Sequence, residues 1–314
     1  MDLERLIDDI RVINRFVEDC RVRGLSPFTI EGYNSNLKLF SSFLEGRNKN
    51  LLSVDKSDLI SYISYLRENN ISKKTIENRF AAFSSLYDYA IYEKMIDRNL
   101  VLDIRKRYLR NYKKSGDDGK RRKLISVEEM TFFINSIMDI RDKCIALLFA
   151  KTGIRRRELI RIDIDDIDFR NLSIKLKPTP KRSNRVVFFD DECLFLLKNW
   201  VDKRENIVNP DCKALFISYE TGGRLGRNGV YNSFIKWAVK SGLHDQNNSD
   251  IENHFTPHCC RHWFTTFLIR NGMSRDYVKE LRGDSRKDAL DVYNHIDFED
   301  LRKQYLSAIP KLGL

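Results

Sequence analysis

The chain lacks any long apolar run. Nothing in its 314 residues approaches the roughly 18 apolar residues that a membrane-crossing helix needs, so no span is expected. It also lacks a leader signature: M-D-L-E-R-L-I-D-D-I is acidic and amphipathic, not a basic stub followed by an apolar block. Cysteine is sparse, six residues scattered without a disulfide framework. That points away from a stapled secreted domain and toward a reduced, cytoplasmic setting. Acidic residues fall short of basic ones, 45 against 56, for a formal net charge of +11. The excess points to a polyanionic partner. What is present is an ordinary globular balance, 42% hydrophobic and 32% charged, in a chain long enough for two domains.

To about residue 100 the periodicity is helical throughout. Leu3, Leu6, Ile7, Ile10, Ile13 and Phe16 recur at helical spacing. Ser26-Pro27 opens a second helix with Tyr33, Leu37, Phe40, Phe43 and Leu44 on its stripe. Asp55 or Ser57 caps a third, carrying Leu59, Ile60, Ile63 and Leu66. Ser72 caps a fourth, with Ile76, Phe80, Phe83, Leu86 and Ala90. Four such helices with short turns predict a small bundle over residues 1–102.

Residues 103–123 read as a basic linker. Ten basic residues face three acidic ones there, including Arg105, Lys106, Arg107, Lys113, Lys114, Arg121 and Arg122. Ser115-Gly116-Asp117-Asp118-Gly119 breaks any helix. One reading is a solvated spacer. The other is a segment that tracks the phosphates of a polyanionic partner between the two domains.

A second domain is expected over 124–314. Ser126 and Glu129 form a capping box. An apolar helix runs from Cys144 to Ala150 and stops at Thr152-Gly153, and I-R-R-R-E-L follows. Leu172–Leu176 and Arg185–Phe188 alternate as strands around K-P-T-P-K-R-S-N, a basic hairpin turn. A helix is expected over 191–203, and Ala214–Ile217 is a short strand-like run. Arg224 and Arg227 open another helix as candidate phosphate contacts. The tail from Phe298 to Ile309 is amphipathic, with little domain left to cover.

The stretch Thr256–Asp297 carries the chemistry. Thr256 is a plausible N-cap and Pro257 a first helical residue. His258 and Arg261, three apart, share a face of the first turn, where unpaired N–H groups and the dipole favour an anion. After breaks at Asn271-Gly272 and Gly283, a second helix closes with Tyr293. A phosphate held by His258 and Arg261 can thus face a tyrosine hydroxyl. The competing reading is a metal, because His258 and His262 are four apart beside Cys259 and Cys260. No second ligand pair follows, and the adjacent cysteines suit small core positions.

P-H-C-C-R-H-W-F-T-T-F-L-I-R-N-G resembles the His-x-x-Arg box of the tyrosine recombinases, the phage-type integrases and Xer-type enzymes. L-R-G-D-S-R-K-D-A-L-D-V-Y-N-H-I resembles their closing segment, T-G-I-R-R-R-E-L their first box, and S-P-F-T-I-E-G-Y-N-S-N-L-K-L-F the start of their core-binding domain. The resemblance implies a mainly α fold with a small β-sheet: a helical, SAM-like core-binding domain followed by the catalytic domain. It implies cleavage and rejoining of double-stranded DNA through a 3′-phosphotyrosyl ester, with no cofactor or metal, in a tetramer at synapsis. Arg155, Arg261 and His258 would hold the phosphate, Glu158 would support Arg155, and Tyr293 would attack. A lysine in the hairpin turn would protonate the leaving oxygen, either Lys181 or, as the alternative, Lys177. The tail would dock on a neighbouring protomer. Asp284 departs from the pattern, since histidine or tryptophan usually stands there and an ionised carboxylate cannot donate. Either burial beside the phosphate keeps it protonated and donating, or, the favoured expectation, it turns away and pairs with Arg282 or Arg286. A DNA-binding protein with impaired catalysis and a type IB topoisomerase-like activity remain the alternatives.

Overall fold

The computed structural model describes residues 2–110, 123–178, 185–248, 250–284 and 296–314. The chain divides into two compact units, Met1–Gly116 and Asp117–Leu314. No helix among the described residues is long and apolar enough to cross a membrane.

The first unit is helical. It comprises α1 (Asp2–Val22), α2 (Pro27–Glu45), α3 (Lys56–Glu68), α4 (Lys73–Tyr92) and the short α5 (Leu100–Ile104). The expected caps form. Ser26 Oγ accepts from Thr29 N, Ser72 Oγ accepts from Thr75 N, and Asp55, rather than Ser57, caps α3 in a reciprocal box with Asp58. The apolar stripes meet around Phe16, Phe40, Tyr62, Phe80 and Phe83, with the Phe40 and Phe83 rings stacked at 4.5 Å.

Residues 103–109 were expected in the linker, yet they are helical. A single π turn, Arg105–Leu109, continues α5, and Ile104 and Leu109 are buried in the bundle core. Two apolar anchors five apart, the period of a π turn, tie this basic stretch to the bundle. Lys106 and Arg107 stay exposed.

The second unit is built around α7 (Ile140–Thr152), which is buried from Cys144 to Thr152. Packed with it are α6 (Val127–Ser136), α9 (Asp191–Glu205), α10 (Arg227–Lys240) and α11 (Pro257–Arg270). Helix α8 (Arg156–Ile160) follows α7 directly. The sheet is antiparallel in the order β1 (Ile167–Asp168), β2 (Ser173–Leu176), β3 (Arg185–Phe188). Its register pairs Ser173 with Phe188 and Leu176 with Arg185. Ala214–Ile217 is buried but joins no sheet. Side chains take three of its four carbonyls, Arg204 Nε donating to Ala214, Trp200 Nε1 to Leu215 and Arg141 Nη1 to Ile217, while Leu225 N donates to Phe216 O.

Helix α12 (Arg275–Arg282) and α13 (Phe298–Ala308) complete the unit. The tail has more to cover than its position implied. Leu301, Tyr305, Ala308 and Ile309 are buried with Phe188, Phe264, Leu268, Val278 and Leu281 of the same chain. Beyond α13, Lys151, wholly buried, donates to Pro310 O, while Glu192 accepts from Leu312 N. The tail is therefore seated on its own protomer.

Candidate active site

Two turns set the site. The first ends α7. Gly153 has φ +58°, and a Cβ there would lie 2.4 Å from the Phe264 ring on α11, so the position needs glycine on both counts. Its carbonyl accepts from Arg261 Nη1 at 2.7 Å. Two residues on, Arg155 is the N-cap of α8, and its backbone N donates to Glu158 Oε2 at 2.7 Å.

Glu158 is buried and does more than support Arg155. Arg185 of β3 donates to both its oxygens, Nη1 at 2.8 Å and Nη2 at 2.9 Å, while the Arg155 guanidinium stands 3.5 Å away. Burial pushes the Glu158 carboxyl up. The Arg185 hydrogen bonds and charge more than reverse this, so it sits below its ordinary range. Arg185 was not foreseen as part of the site. A signal existed: strand alternation puts it on the face of Val187, which is buried, and a charge on an inner face needs a partner.

The second turn ends α12. Gly283, at φ +58°, closes it, and a Cβ there would meet Arg185 Cδ at 2.7 Å. Arg155 Nη1 and Arg261 Nη2 both donate to Arg282 O, at 3.3 and 2.9 Å. The two arginines, 106 positions apart in sequence, thus converge on one backbone oxygen. Arg261 is buried, whereas the Arg155 side chain keeps about a third of its surface exposed. Burial, with the charges of Arg155 and Arg282, pushes Arg261 down to about 9, which leaves it charged at neutral pH. Burial also lowers Arg155.

Helix α11 starts at Pro257 with Thr256 in N-cap geometry, although the Thr256 side chain makes no cap bond. His258 lies on the exposed side of the first turn, its ring centroid 4.9 Å from that of His262. Cys259 and Cys260 are buried in the core. His258 and Arg261 line a cavity of about 230 Å³ together with Arg155, Arg156 and Tyr231. The Arg156 guanidinium lies 5.0 Å over the Tyr231 ring.

Asp284 corrects an expectation. It pairs with Arg282 (Nε to Oδ2, 3.0 Å), but it does not turn away. Its Oδ1 lies 3.2 Å from Arg261 Nη2 and 3.4 Å from Arg155 Nη2. Gly283 and the Arg282 carbonyl fix the turn where three guanidiniums surround the next side chain, and a carboxylate is drawn to them. Arg286 lies outside the described residues.

Other candidates are placed less centrally. Lys177 pairs with Asp163 and, at 3.3 Å, with Asp166, and Arg224 donates to Ile160 O at 2.7 Å and pairs with Asp163. Both cations are thereby held by a local acidic cluster. Arg227 is the first residue of α10. Arg105, Lys106 and Arg107 lie on the π turn of the first unit. Lys181, Tyr293, Lys113, Lys114, Arg121 and Arg122 lie outside the described residues.

The profile of the phage integrase family matches residues 125–300, and that of the phage integrase N-terminal SAM-like domain matches residues 13–94. Tyrosine recombinase XerC of Psychromonas ingrahamii is 28% identical over 296 residues, covering 92% of each chain. XerC of Proteus mirabilis is 26% identical over 291 residues, 92% of this chain and 90% of that one. Among solved structures, the Tn1549 transposon integrase in complex with transposon right end DNA has a TM-score of 0.66 at 21% identity, over 93% of this chain and 98% of that one. A lambda integrase tetramer bound to a Holliday junction has a TM-score of 0.65 at 16% identity, over 90% and 76%. At these identities the structures share the fold.

Proposed function

The chain belongs to the phage integrase family and is a site-specific tyrosine recombinase, and from that premise we propose how its own residues divide the work. The substrate is double-stranded DNA, met by both units. The scissile phosphate is bound by Arg155 and Arg261. The observation that carries this is their convergence: two guanidiniums from distant segments meet at the Arg282 carbonyl, beside His258 and the α11 N-terminus.

Tyr293 supplies the nucleophile. Its oxygen bonds to phosphorus while the bond to the 5′-oxygen breaks, leaving a 3′-phosphotyrosyl ester. His258 accepts the tyrosine proton, and the turn lysine Lys181 gives one to the leaving oxygen. Lys177 is the weaker choice because Asp163 and Asp166 engage it. The ester conserves bond energy, so attack by a 5′-hydroxyl rejoins the strand without a nucleotide cofactor, and no step requires a metal. Fixed guanidiniums aimed at the charge on the non-bridging oxygens of the transition state reduce the barrier. The +11 net charge and the DNA-bound structural relatives support DNA as partner. The tetrameric lambda relative supports assembly as a tetramer at synapsis.

A nicked suicide substrate that traps the cleaved strand tests this reading. A covalent protein–DNA adduct is expected, together with strand exchange between two sites. Relaxation of supercoiled DNA without exchange would favour a topoisomerase-like activity. Binding without adduct would favour the catalytically impaired reading, which the carboxylate at position 284 keeps in contention.

A further inference from the structure

Two arginines that share one phosphate must stand side by side before it arrives, and like charges so placed repel. This chain offsets the repulsion from within. The Asp284 carboxylate spans the site: Oδ1 lies between Arg261 Nη2 (3.2 Å) and Arg155 Nη2 (3.4 Å), and Oδ2 is 3.0 Å from Arg282 Nε. The backbone leaves it little alternative. Arg155 and Arg261 grip the Arg282 carbonyl two residues earlier, and Gly283 is packed against Arg185, itself held by Glu158. A carboxylate spreads one negative charge over two oxygens, here Oδ1 toward the Arg155 and Arg261 guanidiniums and Oδ2 toward Arg282. The non-bridging oxygens of a phosphodiester share one charge in the same way.

We infer that Asp284 is a positioning residue that stands in for the scissile phosphate in the DNA-free protein, holding Arg155 and Arg261 convergent until DNA displaces it. The inference rests on the assignment of those arginines as the phosphate's ligands. The resident carboxylate competes with any incoming anion, so small anions are turned away. A DNA phosphate succeeds because binding energy from the rest of the duplex interface is available to move the turn. The site is therefore preorganised and occupied at once, and its phosphate affinity is conditional on the whole substrate.

The test uses inorganic phosphate as the probe. Its dissociation constant would be measured by calorimetry on the full chain for wild type, Asp284→Asn and Asp284→Ser. In parallel, the concentration of nicked substrate that half-saturates single-turnover adduct formation would be determined. Asp284→Asn keeps the shape and removes the charge. It should tighten phosphate binding about tenfold or more and lower the half-saturating DNA concentration; Asp284→Ser should do the same. Asp276→Asn is the control for loss of a nearby negative charge, since Asp276 pairs with Lys279 on the surface of α12, and it should change neither quantity. Unchanged phosphate binding in both Asp284 variants, or an equal gain in Asp276→Asn, overturns the inference. The underlying assignment fails separately, if Arg155→Ala leaves phosphate binding and adduct formation as in wild type.

Discussion

Glu158 and Arg185 meet through two parallel hydrogen bonds, 2.8 and 2.9 Å long, both side chains buried. This pair fastens α8 to β3. It also links the two turns of the site, because Glu158 caps Arg155 and Arg185 donates to Leu281 O beneath Gly283. Breaking a buried pair from one side leaves an uncompensated charge, which typically costs about 3–5 kcal/mol. Arg185→Ala and Glu158→Ala should each lower stability by about that much in urea unfolding. Losses that sum in the double variant would mean the two do not act as a unit.

The fold was largely legible because its signals are local. Ser26, Asp55, Ser72 and Ser126 announce helix starts, and each occupies its N-cap. The His258–Arg261 spacing and the Thr-Gly stop before Arg155 were equally plain. What escaped was set by distant partners. The fork of Arg185 on Glu158, the turn of Asp284 into Arg261 and Arg155, and the seating of the tail on Lys151 and Glu192 join residues 23 to 159 positions apart. The basic stretch after Asp103 read as linker because its charge was conspicuous, while its two anchors, Ile104 and Leu109, were not.

For the nucleophile, Tyr293→Phe should bind target DNA as wild type does and form no covalent adduct. The substitution removes one hydroxyl oxygen and leaves the ring. Adduct at the wild-type level in this variant would shift attention to Tyr277. Tyr305 is a poor substitute, being buried with its hydroxyl donated to Lys151 O.

The tail makes a stability prediction. Tyr305→Phe removes the hydrogen bond to Lys151 O at 2.9 Å and should cost about 0.5–1.5 kcal/mol. Deleting residues 310–314 should cost more. It strips Lys151 of Pro310 O and Glu192 of the Leu312 N–H, so a buried polar cluster that keeps Asp190 loses part of its hydrogen bonding. Thermal unfolding of the monomer reads both. A truncation as stable as the full chain would show that the seat on its own protomer contributes nothing.

The loop leading into α11 carries a pH dependence. The rings of His244 and His254 stack at 5.0 Å, and His244 Nδ1 bonds with Phe255 O at 3.0 Å. Burial lowers the His244 pKa; the Phe255 carbonyl and Asp245 oppose this, and His254 and Lys123 add to it. The unfolded chain therefore takes up this proton more readily than the folded one. The contribution is present above the ordinary histidine value of about 6.5 and is lost as pH falls below it toward the folded value. Midpoints of thermal unfolding should fall between pH 7 and pH 5, as estimated from that reference value. They should fall less in His244→Asn. Identical slopes would assign the acid sensitivity elsewhere.

The two proposed phosphate ligands should fail in different ways. Arg155 is about a third exposed, and its guanidinium bonds are the longer ones, at 3.3 and 3.4 Å. Arg155→Ala should leave the fold close to wild type and slow adduct formation by about 2.7–4 kcal/mol of barrier, the usual loss for one electrostatic donor. DNA binding should weaken far less, because many other phosphates are held elsewhere. Arg261 is buried and bonds Gly153 O at 2.7 Å as well as Arg282 O at 2.9 Å. Arg261→Ala should lose the same catalytic donor and also lower the unfolding midpoint, since Gly153 O loses its side-chain donor and Arg282 O one of its two. Arg261→Lys should recover part of the stability and little of the rate, because an ammonium lacks the planar fork. Chelator should change neither rate nor binding in any of the variants. Parallel losses of binding and cleavage in both alanine variants would mark the arginines as ordinary backbone contacts and remove them from the chemical step.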